Sequence, residues 1–322
     1  MFPFSRKELA ELRRRLLGAR RVPVIVGPTA VGKTALSLDL AEALEAEIVS
    51  ADSRQVYRYM TIGTAKPNPE ELARVRHHFV DVRDPDAYYS AGEYQREARS
   101  VIGQMLAEGR LPIVVGGSGF YLRALFDGLF EPRIADSGVK ERIRERIRKH
   151  GLASVYEELR HVDPEAAARV HPNDEQRIVR ALEVYEISGK PMSTFFQEKP
   201  RPAPFEGIWI GLERDREELY RRIDARVDQM FAQGLVDEVQ NLLDRGFSPD
   251  LNALRTVGYR EVVEHLQGKI SLERAVELVK RNSRRYAKRQ LTWFRRDPRI
   301  HWVRAGESAL AEVLTILRSN VS

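Results

Sequence analysis

Between residues 22 and 123, short apolar runs alternate with stretches whose apolar residues recur every third or fourth position. The runs VPVIV (22–26), EIVS (47–50), HFVDV (78–82) and LPIVV (111–115) predict four strands. The stretch Thr34–Leu44, with Leu36, Leu40 and Leu44 on one face, predicts a helix, and a second helix ends near Glu108–Gly109. Strands that read as continuous apolar runs are buried on both faces, and helices between them imply a parallel sheet. From Ser137 to about Ile187 the period is helical throughout: Ile143 and Ile147 stand four apart, and DEQRIVRALEVYEI is closed by Gly189. The proline-rich EKPRPAPFE (198–206) reads as a linker, and GIWIGL (207–212) as a strand returning to the sheet. Long helices are expected from there to the end of the chain. Ahead of the first strand, Leu9, Leu12 and Leu16 form the inward stripe of an amphipathic helix.

Composition narrows the chemistry. The chain has 322 residues, 43% of them apolar, which is enough for a true core. It has no cysteine, which excludes disulfides, thiolate metal sites and a thiol nucleophile and fits a reducing compartment. No apolar run reaches the ~20 residues that a membrane-spanning helix needs. The opening segment lacks the apolar stretch of a secretory leader, and Glu8 and Glu11 argue against a transit peptide. A cytoplasmic location is therefore expected. His77 and His78 point to different faces of any regular element and read as packing or capping residues rather than metal ligands.

Charge changes the picture further. The net charge is +6, but Lys280–Arg299 holds nine basic residues and one acid, a local +8 that leaves −2 for all the rest. Such a stripe marks a polyanion partner, against the plainer alternative of a solvated helix face.

The strongest local signal is Gly27-Pro28-Thr29-Ala30-Val31-Gly32-Lys33-Thr34, a G-x-x-x-x-G-K-[ST] loop between strand and helix. Backbone N–H groups of such a loop wrap a phosphate, the lysine neutralises it, and the hydroxyl of Thr34 holds Mg²⁺. The second strand ends in Asp52-Ser53-Arg54-Gln55, and the fourth in Gly116-Gly117-Ser118-Gly119. Ligands of parallel sheets sit outside the carboxyl ends of the strands, so three polar strand ends converge on one crevice. The alternative for Asp52 is a helix N-cap. The fourth strand lacks a terminal Asp, which disfavours a motor-type ATPase. The expected fold is α/β: a P-loop NTPase-like parallel sheet flanked by helices over 1–123 and 205–322, with an inserted all-helical domain over 124–204.

GPTAVGKT, ADSRQVYR (51–58), IGTAKP (62–67), VVGGSGFYL (114–122), HPNDEQRIVRALEV (171–184), VGYRE (257–261) and AKRQLTWFR (287–295) stand in this order, and together they resemble the tRNA dimethylallyltransferases. The resemblance implies transfer of a dimethylallyl group from its diphosphate to N6 of the adenine 3′-adjacent to the anticodon. It implies Asp52 as general base, Lys33, Thr34 and Arg222 (in LYRRIDARV) on the diphosphate, and Mg²⁺ as cofactor. It further implies tRNA contacts by Asp52, Ser53, Arg54, Gln55 and Ser118, by Gln176, Arg177, Ile178, Val179 and Arg180 of the inserted domain, and by Lys288 and Arg289 of the stripe. A monomer is implied. Ser118 stands where many members have Thr, and the absence of cysteine matches members without a C-terminal zinc finger. Tyr286, Trp293 and Phe294 within the stripe read as core residues rather than as a base-stacking platform. Two other readings share part of these features: a P-loop kinase of small molecules or nucleotides, and a non-catalytic nucleotide-gated RNA-binding protein.

Overall fold

The computed structural model describes residues 4–129, 136–197 and 200–321. Residues 198 and 199, the start of the expected linker, lie outside them. The chain divides into two units, Met1–Phe126 with Ala203–Ser322, and Asp127–Pro202.

The larger unit is built on six parallel strands: β1 (Arg21–Val26), β2 (Ala46–Ser50), β3 (His77–His78), β4 (Leu111–Gly116), β5 (Glu206–Glu213) and β6 (Ile300–Arg304). Their spatial order is β3-β2-β4-β1-β5-β6. β1 lies centrally, with Val24 beside Val114 of β4 and Trp209 of β5. Val24, Ile25, Ile113, Val114 and Ile210 are fully buried, as unbroken apolar strands require of a sheet covered on both faces. Ser50 pairs with Val115, and Val26 with Gly116, so the carboxyl ends of β2, β4 and β1 finish side by side.

Two expectations are corrected. The third strand, expected over 78–82, is only His77–His78, because Phe79 and Asp81 adopt left-handed φ values of 65° and 55° that an extended chain cannot contain. The chain after β5 is not all helical: β6 adds a parallel edge to β5 from Trp209–Ile300 to Glu213–Arg304. Its five residues, IHWVR, include an arginine and a histidine and bury only Ile300 and Val303, too weak an apolar pattern to separate from the flanking helices.

The helix Arg6–Gly18 opens with a reciprocal capping box between Ser5 and Glu8 and buries Leu12 and Leu16. Arg216–Ala232 starts at the end of β5, and Asp215 accepts from the N–H groups of Glu217 and Glu218 to cap it. The 23-residue helix Leu272–Phe294 carries most of the basic stripe.

The smaller unit is helical, with Ser137–His150, Leu152–Val162, Pro164–Arg169 and Glu175–Ser188 followed by a short 3-10 helix, Met192–Gln197. Its core joins Ile143, Val155, Leu159, Ile178, Val179 and Leu182. Glu183 is wholly buried, where a lone carboxylate would be costly. It is compensated by Arg180 at 2.7 Å, Lys140 at 3.5 Å and the Asp136 N–H at 2.9 Å.

Candidate active site

β1 runs directly into the 27–34 loop, whose Gly27, Ala30 and Gly32 take positive φ values of 146°, 63° and 113°. The helix Lys33–Ala43 follows without any side-chain cap on its first turn, leaving its N–H dipoles available to an anion. Lys33 Nζ lies across the loop, donating to Gly27 O at 2.9 Å and Pro28 O at 2.8 Å. Burial lowers its pKa to about 8; the Asp52 carboxylate opposes that shift and the Arg226 guanidinium adds to it. The loop's outer carbonyls are held by two arginines: Arg214 Nε donates to Val31 O at 2.8 Å, and Arg222 Nε to Ala30 O at 3.2 Å.

Arg222 is exposed. One turn later, Arg226 is half-buried, and burial lowers its pKa against the opposing fields of Asp52 and Glu71. Arg226 thus shares the electrostatic environment of both Lys33 and Asp52. The motif resemblance pointed to Arg222 and missed Arg226; the signal was available in the i, i+4 repeat of arginine on a helix following β5.

Asp52 caps no helix. Its Oδ1 accepts from the N–H groups of Arg54 at 2.8 Å and Gln55 at 3.3 Å, closing a tight turn after β2. No protein donor among the described residues reaches its Oδ2. Ser118 Oγ accepts from Ser53 N–H at 3.0 Å and donates to Ser53 Oγ at 3.3 Å, tying the ends of β2 and β4. Arg54 donates to Asn252 O at 2.8 Å. Gln55 Nε2 donates to Ala65 O at 3.1 Å, so its side chain supports the neighbouring turn.

That turn has an anchor that sequence reasoning missed. Glu238 accepts from three successive N–H groups, Thr61 at 2.9 Å, Ile62 at 2.8 Å and Gly63 at 3.2 Å, and from the Tyr259 hydroxyl at 2.5 Å. The row of N–H groups is an anion nest filled from within the fold.

Part of the stripe is neutralised. Lys280 pairs with Asp228 at 2.6 Å, Arg284 with Asp224 at 2.5 Å, Arg295 with Glu213 at 3.7 Å and Arg299 with Asp297 at 2.6 Å. Arg281, Arg285, Lys288, Arg289 and Arg296 are exposed and make no ion pair among the described residues. Phe294 is buried as expected of a core residue, but Tyr286 and Trp293 are 36% and 43% exposed. These two lie on the helix face turned to the end of β4, with Tyr286 beside Ser118 and Trp293 over Gly119.

The larger unit therefore brings together the 27–34 loop, Asp52, Ser53, Arg54, Gln55, Ser118 and Arg222, and carries Lys288 and Arg289 on its long helix. Gln176, Arg177, Ile178, Val179 and Arg180 belong to the other unit. Ile178 and Val179 are core residues, 0% and 3% exposed, so their side chains are withdrawn from any ligand. Arg180 is committed to buried Glu183. Gln176 and Arg177 remain on the surface.

Among the described residues, no three His, Cys, Asp or Glu side chains are grouped to hold a metal. His77 and His78 bond to Val75 O and Glu47 at 2.8 and 2.7 Å. The oxygen donor that fits a hard cation beside a phosphate is the Thr34 hydroxyl, which makes no hydrogen bond among the described residues. No described helix is long and apolar enough to cross a membrane.

The family model described as IPP transferase matches residues 55–297. The chain belongs to the IPP transferase family. Within it, the tRNA dimethylallyltransferase of Geobacter sulfurreducens is 52% identical over 285 residues, 88% of this chain and 91% of that protein. That of Syntrophobacter fumaroxidans is 50% identical over 289 residues, 89% and 84% of the two chains. The crystal structure of a tRNA isopentenylpyrophosphate transferase from Bacillus halodurans aligns with a TM-score of 0.70 at 38% identity, covering 94% of this chain and 97% of its own. A eukaryotic dimethylallyltransferase acting on tRNA aligns at 0.76 and 30% identity, covering 93% and 78%. The family match runs through both units, from Gln55 after the β2 turn to beyond the long basic helix.

Proposed function

We propose that the protein transfers a dimethylallyl group from dimethylallyl diphosphate to N6 of the adenine 3′-adjacent to the anticodon of tRNA, releasing diphosphate. The observation that carries this reading is a phosphate loop whose lysine shares its electrostatic environment with a carboxylate, Asp52, on the next strand end but one. A kinase of small molecules needs the loop but not four unneutralised cations on one helix. A nucleotide-gated binding protein needs no carboxylate with a vacant oxygen beside the loop.

The chemistry follows from the residues. As N6 bonds to C1 of the allyl group, the C1–O bond to diphosphate breaks and that bond's electron pair leaves on the diphosphate. Loop N–H groups, Lys33 and Arg226 stabilise the growing negative charge there. The proton displaced from N6 passes to Asp52 Oδ2, while Oδ1 remains bound to its turn. Magnesium, held by the Thr34 hydroxyl and diphosphate oxygens, would supply further charge neutralisation on the leaving group. The adenine must leave its stack to enter the crevice. Lys288 and Arg289 serve the RNA backbone, and Gln176 and Arg177 the inserted unit's share of tRNA binding. We place the enzyme in the cytoplasm as a monomer, consistent with a tRNA substrate and a cysteine-free chain.

Mass spectrometry of tRNA incubated with the enzyme, magnesium and dimethylallyl diphosphate tests the reading: the modified adenine should gain one dimethylallyl group. Efficient ATP-dependent phosphorylation of a small molecule, with no such gain, would sink it. Two more outcomes are expected. Arg226→Ala weakens diphosphate binding by ~1.5–3 kcal/mol, the worth of a charge-assisted contact, whereas Arg222→Ala, which removes an exposed side chain bonded to Ala30 O, changes it by less; calorimetry separates the two. Lys288→Ala and Arg289→Ala each weaken all tRNAs alike and lower the slope of log affinity against log salt by roughly one unit. Unchanged slopes in both variants would return this helix to a solvated surface.

A further inference from the structure

The helix Leu272–Phe294 presents two faces with different surroundings. Arg281, Arg285, Lys288 and Arg289 are exposed, while Tyr286, Gln290 and Trp293, at i, i+4 and i+7, lie on the face toward the end of β4. Gln290 is the one polar side chain of the helix among the buried residues, 6% exposed. Both ends of its amide are used. Oε1 accepts from Thr29 N–H at 2.9 Å, and Nε2 donates to Gly117 O at 2.9 Å.

Thr29 belongs to the phosphate loop after β1, and Gly117 to the turn after the adjacent strand β4. The amide therefore spans the gap between two neighbouring strand ends. The fit is close: a Cβ at position 117 would run into Gln290 Nε2, so the glycine there admits the amide. An apolar residue at 290 would leave a buried N–H on one side and a buried carbonyl on the other. Lys33, Arg214 and Arg222 grip the loop's carbonyls, but Gln290 takes a loop N–H, and so sets which N–H groups remain directed at an anion.

We infer that Gln290 is a positioning residue for the diphosphate loop, although it stands in sequence between cations that serve RNA. The inference deepens the proposed transfer reaction and rests on that reading. Gln290 touches neither substrate; it fixes the loop against the β4 turn so that the loop closes on diphosphate without first being ordered by it. The long helix thus serves the two substrates with opposite faces, cations outward for RNA and an amide inward for the diphosphate loop.

The test separates the faces. Gln290→Met keeps the volume and removes both hydrogen bonds. Binding of inorganic diphosphate with magnesium, measured by calorimetry without tRNA, should weaken at least tenfold. The KM for dimethylallyl diphosphate should rise in parallel, with kcat at saturating dimethylallyl diphosphate falling less than threefold. The tRNA affinity and its salt slope should stay within twofold of the parent. Lys288→Ala should give the reverse pattern. If Gln290→Met fails to fold by circular dichroism, Gln290→Asn, one methylene too short to span both partners, carries the same expectations. Folded variants that bind diphosphate within twofold of the parent, or that lose tRNA affinity instead, overturn the inference and leave the proposed function standing. Two variants that both fail to fold assign Gln290 to the core and overturn it as well. A parent chain that binds no diphosphate sinks the proposed function and this inference together.

Discussion

Asp52→Asn lowers turnover by ~10²–10⁴, the range for loss of a general base, and leaves the affinity for both substrates nearly unchanged. Asparagine is the sharper substitution because of how Asp52 is held. Its Oδ1 accepts from the N–H groups of Arg54 and Gln55, a task that an amide oxygen also performs. What asparagine cannot do is take the N6 proton. Asp52→Ala removes both tasks at once, so its larger loss mixes chemistry with the collapse of the Ser53–Gln55 turn. Measuring single-turnover prenylation of tRNA for the two variants distinguishes them. An asparagine variant with near-parental turnover would mean that the carboxylate serves only the turn.

Lys33→Ala should weaken diphosphate binding by ~1.5–3 kcal/mol and slow transfer by a larger factor, since charge on the diphosphate grows as the C–O bond breaks. The pH dependence gives an independent check. With a pKa of about 8 in the ligand-free enzyme, Lys33 is charged at neutral pH and loses its proton as pH rises through that value. An anion binds the protonated form, so affinity is flat below about 8 and declines above it, by up to tenfold per unit. The last ionisation of a diphosphate that carries an alkyl group on one end lies near pH 6, as for other phosphate monoesters, so with dimethylallyl diphosphate as the ligand the decline above about pH 8 reports the lysine. Titrating dimethylallyl diphosphate affinity from pH 7 to 10 should show this limb in the parent and not in Lys33→Ala. A parent profile flat to pH 10 would remove Lys33 from the anion contact.

Most of the sheet is legible in the sequence, because β1, β2, β4 and β5 are buried on both faces and therefore read as uninterrupted apolar runs. The edges are not. β3 keeps only two residues before Phe79 turns left-handed, and β6 is a short edge strand that mixes polar His301 and Arg304 with its two buried residues. The same distinction holds within the site. The phosphate loop and Asp52 are local motifs, with their chemistry written in consecutive residues. Arg226, Gln290 and Glu238 act across 150 residues or more of sequence, and a linear motif does not record which loop a helical side chain will meet. The resemblance assigns all five residues of Gln176–Arg180 to tRNA. A helix turns its residues by 100° each, so Ile178 and Val179 had to face inward, and the buried Glu183 drew Arg180 after them.

The nest at Thr61–Gly63 has a consequence for how the crevice treats anions. Three N–H groups in a row form a concavity that attracts phosphate. Glu238 is a ligand on a tether, and a tethered group competes at an effective concentration in the millimolar range or above, which a dissolved anion at lower concentration does not displace. The turn is thereby closed to phosphate, whereas in the loop after β1 Gln290 takes only the Thr29 N–H and Lys33 rests on carbonyls, so the loop remains the address at which an anion can arrive and depart.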